Sequence, residues 1–210
     1  MGMDRRSLLR TLLAVVGCGA MSRPLASAEP AGQVVRTQGQ VTKMAGTGAA
    51  VPLGPDAPVA VGDTIVTADG AKVDLRFVDG SLLTVGPSSR VEIARYAPAA
   101  SGGRGEALLS LLNGIIKLIV DEGGRWNRFA VGTETAIASV RGTEWLVDAA
   151  PGKTGVLVLQ GAVQVVGRVA GRSVTLGPGQ GTDVAAGAAP TPPKIWGAAR
   201  RDAAVARVTW

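Results

Sequence analysis

Short runs of alternating apolar and polar residues make up most of the chain after residue 30. In residues 73–78 the odd positions are apolar, and the same side stays apolar further along the chain, at Leu83, Val85, Val91 and Ile93. A period of two predicts strands with one buried face. The pattern therefore predicts an all-β fold, built as a roll or sandwich of short strands.

Glycine-containing turns separate these runs. Asp79-Gly80 can supply the positive φ angles of a tight hairpin turn, and Asp69-Gly70 is a turn of the same kind. Gly86-Pro87 predicts another turn. We also expect a hairpin around Gly39 and a second strong hairpin over residues 154–167.

Residues 106–120 have a helix-like apolar content but contain Asn113-Gly114 in the middle. This dipeptide predicts a short helical or extended entry, a turn, and then a strand from Ile115 to Val120. Residues 96–105 and 121–127 are rich in Gly and polar residues and are expected to form exposed loops. Residues 185–210 are interpreted as a Pro-rich linker and a short basic tail that contains Trp196 and Trp210.

The composition agrees with many short strands and excludes most enzyme chemistry. The chain has 210 residues, 30 of them Gly and 12 Pro, with 46% apolar residues. It has no histidine, which removes the commonest general base and the usual zinc ligand, and its one cysteine is Cys18. We therefore expect no enzyme activity, no cofactor and no metal. The recurring Asp63, Asp69, Asp74 and Asp79 match no compact calcium loop.

Residues 1–28 have the layout of a bacterial signal peptide: a basic start, an apolar stretch and the small-residue exit Ala26-Ser27-Ala28. Arg5-Arg6 and the residues after them resemble a twin-arginine motif; the alternative is an ordinary secretory signal. Both predict a periplasmic protein with no transmembrane span in the mature chain. A second alternative is lipid anchoring through Cys18, because Val15-Val16-Gly17-Cys18 loosely resembles a lipobox.

The positive charge does not indicate a nucleic-acid partner. The chain carries a net charge of +6, and the four arginines and one aspartate of residues 1–28 account for three of these charges. The remaining charge is spread along the sequence without a basic cluster interleaved with aromatic residues. We expect no nucleic-acid binding.

The stretch "SVRGTEWLVD" places Arg141 and Glu144 inside an apolar run, and "VGTETAIA" repeats Gly-Thr-Glu at residues 132–134. Buried charges are costly unless they are paired. Glu144 would share a face with Leu146, so we expect it to be at least partly buried and to accept bonds from backbone amides. Gly142 would allow a close approach of another strand or mark a bulge. We interpret Arg141 and Glu144 as a polar clasp within the fold, with a ligand site as the alternative.

The order of these motifs resembles the FecR domain family. The resemblance is carried by "VGDTIVTADGAKVDLRFVDGSLLTVGPSSRVEI", "LLNGIIKLIV", "FAVGTETAIASVRGTEWLV" and "VLVLQGAVQV", and it covers roughly residues 33–184. Two family motifs then stand out as structural rather than ligand-binding candidates: Asp79-Gly80-Ser81, and Arg141-Gly142-Thr143-Glu144-Trp145.

The resemblance implies a sensing or binding domain of the periplasm. Well-known members bind a sigma factor through a cytoplasmic N-terminal region; here a leader stands in its place, so we expect no direct contact with a sigma factor. The resulting hypothesis is an exported, non-enzymatic binding or signalling module, with an envelope protein or cell-wall polymer as partner. The alternative is a structural or assembly partner of a larger envelope or secretion system, with the Trp-containing tail as a docking peptide.

Overall fold

The computed structural model describes residues 29–99, 105–120, 126–140, 142–169 and 171–210. These residues form seventeen strands and one short helix. In the first half of the chain the strands are β1 (Pro30–Gln38), β2 (Val41–Ala45), β3 (Val51–Pro52), β4 (Pro58–Ala60), β5 (Asp63–Thr67), β6 (Lys72–Phe77), β7 (Leu82–Val85), β8 (Arg90–Ala97) and β9 (Gly105–Val120). In the second half they are β10 (Trp126–Gly132), β11 (Ala136–Val140), β12 (Thr143–Ala150), β13 (Lys153–Gln160), β14 (Val163–Gly167), β15 (Ser173–Leu176), β16 (Gln180–Ala185) and β17 (Lys194–Ile195), followed by helix α1 (Ala198–Ala206).

The strands form two facing layers that share one long strand. Sheet 1 has the order β4-β1-β6-β7-β9-β12-β13-β16-β17. Sheet 2 has the order β3-β2-β5-β8-β9-β10-β11-β14-β15. Strand β9 contributes its first part to sheet 2 and its second part, from Gly114, to sheet 1. Neighbouring strands are antiparallel except β9 and β10, which are parallel. The all-β sandwich-type fold predicted from the sequence is confirmed.

The main core lies between the two sheets. Every second side chain of a strand points into it, as the alternation in residues 73–78 predicts: Val73 and Leu75 are fully buried and Phe77 is 2% exposed. The largest fully buried side chain is Trp145 of β12. Apolar burial of this extent is the main stabilising contribution to such a fold.

The Asp79-Gly80 hairpin is confirmed, because β6 and β7 pair directly across it. Gly80 has a φ of +92°, which a glycine adopts without the steric cost that other residues meet. The hairpins predicted around Gly39 and over residues 154–167 are wrong. Strands β1 and β13 belong to sheet 1, whereas their successors β2 and β14 belong to sheet 2, so these turns carry the chain from one layer to the other.

The turn predicted at Asn113-Gly114 is also wrong. Strand β9 continues through it for 16 residues, and Gly114 (φ +93°) marks the point where the strand passes from one sheet into the other. A Cβ at Gly114 would lie 2.5 Å from Ser89 Cα, so the close approach of the turn before β8 requires glycine there. The prediction of an exposed loop from residue 96 fails at its first position, because Tyr96 lies in β8 and is 2% exposed.

The tail packs on the outer face of sheet 1 and forms a second, smaller apolar cluster there. Its members are Ile115, Leu146 and Leu157 from the sheet, and Trp196, Ala204 and Val208 from the tail. Residues 185–210 therefore include a segment that covers a sheet face. Among the described residues, no helix has the length and apolar character needed to span a membrane.

Candidate functional site

The Asp79-Gly80-Ser81 turn is held by its own carboxylate. Asp79 Oδ1 accepts a bond from the Ser81 amide at 3.1 Å, and Oδ2 accepts one from the Ser81 hydroxyl at 2.6 Å. The Tyr96 hydroxyl and Trp126 Nε1 also donate to this carboxylate, the latter at 2.8 Å. One side chain therefore joins the β6–β7 hairpin to β8 and β10 in the other sheet.

An aromatic cluster packs beneath this carboxylate. Phe77 stacks on Tyr96 with ring centroids 4.7 Å apart, and Trp126 packs edge-on against Tyr96 and Phe129. The cluster contains both phenylalanines and the single tyrosine of the chain. Burial raises the pKa of the Tyr96 hydroxyl, and its hydrogen bond to Asp79 raises it further. The site is a structural clamp, since its polar atoms bond to one another.

The Arg-Gly-Thr-Glu motif forms a corner between the layers. Arg141 lies outside the described residues. Gly142, with a φ of +91°, leads from β11 of sheet 2 into β12 of sheet 1. The Thr143 hydroxyl donates to Ala162 O at 3.1 Å, in the neighbouring corner where the chain crosses back from β13 to β14. Gly161 in that corner has a φ of +86°, and a Cβ on it would lie 2.9 Å from Gly142 O.

Glu144 lies on the outer face of sheet 1, beside Leu146. Its side chain is 30% exposed, and its Oε1 lies 3.7 Å from Lys117 Nζ of β9. The expected partial burial is present. Among the described residues the expected bonds from backbone amides are not formed, and the carboxylate pairs with Lys117 instead. A partly exposed pair of this length contributes about 1 kcal/mol or less.

The first Gly-Thr-Glu copy forms a buried hydroxyl network. Thr133 and Thr135 each lie 2.7 Å from the Thr154 hydroxyl, and Thr135 donates to Val184 O at 3.0 Å. Glu134 is exposed and accepts a bond from the Gly152 amide at 3.0 Å. The two copies thus share a sequence but not an environment.

The outer face of sheet 1 is closed by the tail through two ion pairs. Arg200 binds Asp183 with two bonds of 2.6 and 2.8 Å while stacking on Trp196, and Arg207 Nη1 lies 2.7 Å from Asp148 Oδ2. The hydrogen-bonded Arg200 guanidinium holds the pKa of Asp183 below its usual range. The pKa of Arg200 is raised in turn, mainly by its bonds to Asp183.

The outer face of sheet 2 is concave. One concavity of about 220 Å³ is lined by Arg95, Glu106, Leu108, Arg128, Ala130, Ile137 and Arg168, together with Ala107. A second of about 510 Å³ adjoins it and includes Arg128, Ser139, Gln164, Val166 and Thr175. We call the two together the sheet-2 trough. Sequence reasoning missed it because the lining residues come from six strands; the local signals are the outward-facing apolar Leu108 and Ile137.

In the described part of the chain, no three His, Cys, Asp or Glu side chains gather as a metal site would require. The aspartates considered for calcium lie apart. Asp63 pairs with Lys43 at 3.2 Å, and Asp74 pairs with Arg36 at 2.8 Å. The loops at residues 96–105 and 121–127, expected to contact partners, fall partly outside the described residues, and their described aromatic side chains, Tyr96 and Trp126, are buried.

The two facing sheets, which the chain connects at glycine-containing bends, define a β-sandwich domain. Among its described residues no catalytic arrangement of side chains is recognisable. Residues 63–164 match the sequence model of the FecR protein family. The chain therefore carries a FecR domain, and the family recognised from its motifs is confirmed. A comparison with curated proteins gave no match.

Solved structures share this fold. Two crystal structures of a candidate anti-sigma factor from Parabacteroides distasonis ATCC 8503, at 1.65 and 2.50 Å resolution, superpose with TM-scores of 0.54 and 0.53. Each is 20% identical to this chain and covers 68% of it. The match spans 64% and 63% of the lengths of those chains, so it extends to the shared fold and not to the whole of either protein.

Proposed function

We propose that the protein is an exported, non-enzymatic binding module of the FecR type that acts in signalling in the periplasm. The FecR domain match carries the proposal. The description of the structural relatives as anti-sigma factors fits a signalling role, since regulators of that kind work by binding other proteins.

Export is supported by the sequence of residues 1–28, which lie outside the described residues. Mass spectrometry of the mature protein should give an N-terminus at or near Glu29. Replacing Arg5 and Arg6 by lysine should block export if the twin-arginine pathway is used, and a diacylglyceryl group on Cys18 would instead identify a lipoprotein. An intact Met1 in the cytoplasm would contradict export by any route.

The absence of enzyme activity is supported by the composition, because the chain has no histidine and its one cysteine lies in the proposed leader. The binding role needs a surface, and the sheet-2 trough provides a concave one. Photo-crosslinkers placed in the trough at Ser139 and Gln164 should capture an envelope component in cells. Matched crosslinkers at exposed Val51 and Val78, outside the trough, serve as controls.

The alternative role, as an assembly partner that docks through its tail, receives less support. Trp196 is 4% exposed and packs on Leu146 and Leu157 of the same chain. A tail held in this way must first detach before it could bind another protein.

A further inference from the structure

We propose that the sheet-2 trough binds a short acidic, amphipathic helical segment of a partner protein. This inference rests on the proposed binding role and names the class of partner. It is drawn from the shape of the trough, from its charge, and from the way the opposite face of the molecule is already covered.

The shape follows from side-chain sizes on β10. The outward residue Ala130 is small and 1% exposed, and it lies at the bottom of the smaller concavity between the larger Leu108 on β9 and Ile137 on β11. The outward Gly132 is buried beneath Leu108 and Arg168. Leu108 Cδ1 lies 3.8 Å from the position of a Cβ on Gly132. From Arg128 the larger concavity continues across β11, β14 and β15, so the trough as a whole is elongated and fits an elongated element with apolar side chains.

The charge at the two ends of the floor is positive. Arg128 stands at one end, and the Arg168 guanidinium lies over Gly132 at the other, 3.0 Å from the position of its missing Cβ. Arg128 and Gly132 are four residues apart in the sequence, which is about 13 Å along a strand. Among the described residues, Arg95 is paired with Glu106 at 3.0 Å, whereas no carboxylate pairs with Arg128 or Arg168. The partner should therefore carry carboxylates that flank its apolar side chains.

The tail on sheet 1 shows such an arrangement with the charges reversed. There the sheet provides Asp183 and Asp148, and the tail provides Arg200 and Arg207 on either side of the apolar Ala204. The two arginines are seven residues apart, about 10 Å along a helix. A helix of the same design with acidic residues would complement the arginines of sheet 2. A second copy's own tail is excluded by its charge, since it would place arginines against arginines.

The probe follows from this comparison. A fluorescent peptide of residues 194–210 carrying Arg200→Glu, Arg201→Glu and Arg207→Glu should bind the mature protein, and the affinity should fall as salt is added. The unaltered peptide is the matched control and should not bind the trough. Chemical shift changes in the protein should be confined to the strands that line the trough, which are β8, β9, β10, β11, β14 and β15.

Two variants test the trough itself. Arg128→Glu should weaken binding by about tenfold or more, because it turns an attraction into a repulsion. Ala130→Leu should weaken it by filling the floor without a change of charge. Arg201→Glu in the protein is the matched control, since it makes the same charge change at a residue paired with Asp202 on the tail. Circular dichroism of each variant shows whether the fold is retained.

Equal binding by the Arg128→Glu and Arg201→Glu proteins, or shift changes confined to sheet 1, would overturn the assignment. Displacement of the peptide by alginate at comparable affinity would overturn it too, since it would identify a site for anionic polymers without an apolar requirement. An envelope partner captured equally well by wild type and Arg128→Glu would refute the trough as the site but leave the binding role standing. A cytoplasmic protein that still bound the peptide would refute the export proposal alone.

Discussion

At the scale of single residues, the Asp79 carboxylate links more of the molecule than the Glu144 carboxylate, which pairs with Lys117 of the neighbouring strand. It is the acceptor for Ser81, Tyr96 and Trp126, and it joins the two sheets at one end of the sandwich. Charge-assisted hydrogen bonds of this kind are stronger than neutral ones, and the folded protein is destabilised when a buried donor is left without its acceptor.

We therefore expect Asp79→Asn to destabilise the domain by about 2 kcal/mol. The amide would turn one acceptor atom into a donor that faces other donors. The measurement is a denaturant unfolding curve. Asp69→Asn is the matched control, because Asp69 also precedes a glycine in a turn but is exposed; its cost should stay within about 0.5 kcal/mol. Equal losses in the two variants would show that Asp79 acts through its turn alone.

The turn at Asp79 could be predicted from the sequence, whereas its partners could not. Asp-Gly between alternating runs is a local signal, and local chemistry determines the turn. Tyr96 and Trp126 are 17 and 47 residues away from Asp79, and no periodicity connects them to it. For Glu144 the apolar sequence neighbours correctly indicated partial burial, but they could not show that the tail, and not the main core, covers Leu146 beside it.

At the scale of elements, glycine corners decide which sheet each strand joins. A hairpin turn and a corner use the same positive φ, as Gly80 at +92° and Gly161 at +86° show. The sequence therefore predicts that the chain bends at these glycines but not where the next strand pairs. That is why the chain does bend at Gly39 and Gly161, whereas the hairpin pairings predicted around Gly39 and over residues 154–167 are wrong.

The corner of Gly161 can be tested against a glycine with the same backbone angle. Gly62 has a φ of +90° with open space around it, so Gly62→Ala should cost only the backbone strain, about 1–2 kcal/mol. Gly161→Ala adds a contact of 2.9 Å with Gly142 O and should cost distinctly more. Thermal unfolding of both variants gives the comparison. Equal losses of stability in the two variants would mean that the Gly161 corner can move away from Gly142 without cost.

The tail was interpreted as a linker because its Pro-rich stretch is a local signal, while its apolar positions are few. The available hint was the spacing of four residues between Ala204 of α1 and Val208 in the turn after it. The pairing of Arg200 with Asp183 predicts how this element responds to pH. The lowered pKa of Asp183 stabilises the docked tail above the unfolded value of about 4, and this contribution is lost as the pH falls through the lowered value.

We expect the tail to loosen below about pH 4 before the sandwich itself unfolds, and to remain docked at neutral pH. Limited proteolysis with the cut sites mapped measures this, using an acid-active protease at low pH and a neutral protease at neutral pH. Arg200→Gln should give early tail cleavage already at neutral pH. Arg201→Gln, which alters an exposed pair, should not. If the tail and the sandwich are cleaved at the same time in the wild type and in both variants, the tail does not detach independently of the sandwich.

At the scale of the whole molecule, the two outer faces differ. One is covered by the chain's own tail and the other is concave and lined with arginines. Removing residues 194–210 would expose Ile115, Leu146 and Leu157, which form a contiguous apolar surface with the half-buried Leu159. Contiguous apolar patches of this kind favour association.

The shortened protein should therefore self-associate in sedimentation velocity, while the full mature chain should stay at one size under the same conditions. A double variant, Leu146→Thr and Leu157→Thr, should restore the single size to the shortened protein if the exposed face is the cause. A shortened protein that remains monomeric would show that the tail contributes little to covering this surface.

Strand β9 has a further consequence for how the molecule forms. Its first part pairs with β8 and β10, and its second part pairs with β7 and β12. In both sheets, therefore, β9 connects strands from the first half of the chain with strands from the second half. During synthesis, the strands before Gly105 would have two unpaired sheet edges, on β7 and β8, until β9 has been synthesised. Pairings this far apart in sequence also form slowly. The nascent first half would then be the species most exposed to misassembly, and the arrival of one strand would close both layers at once.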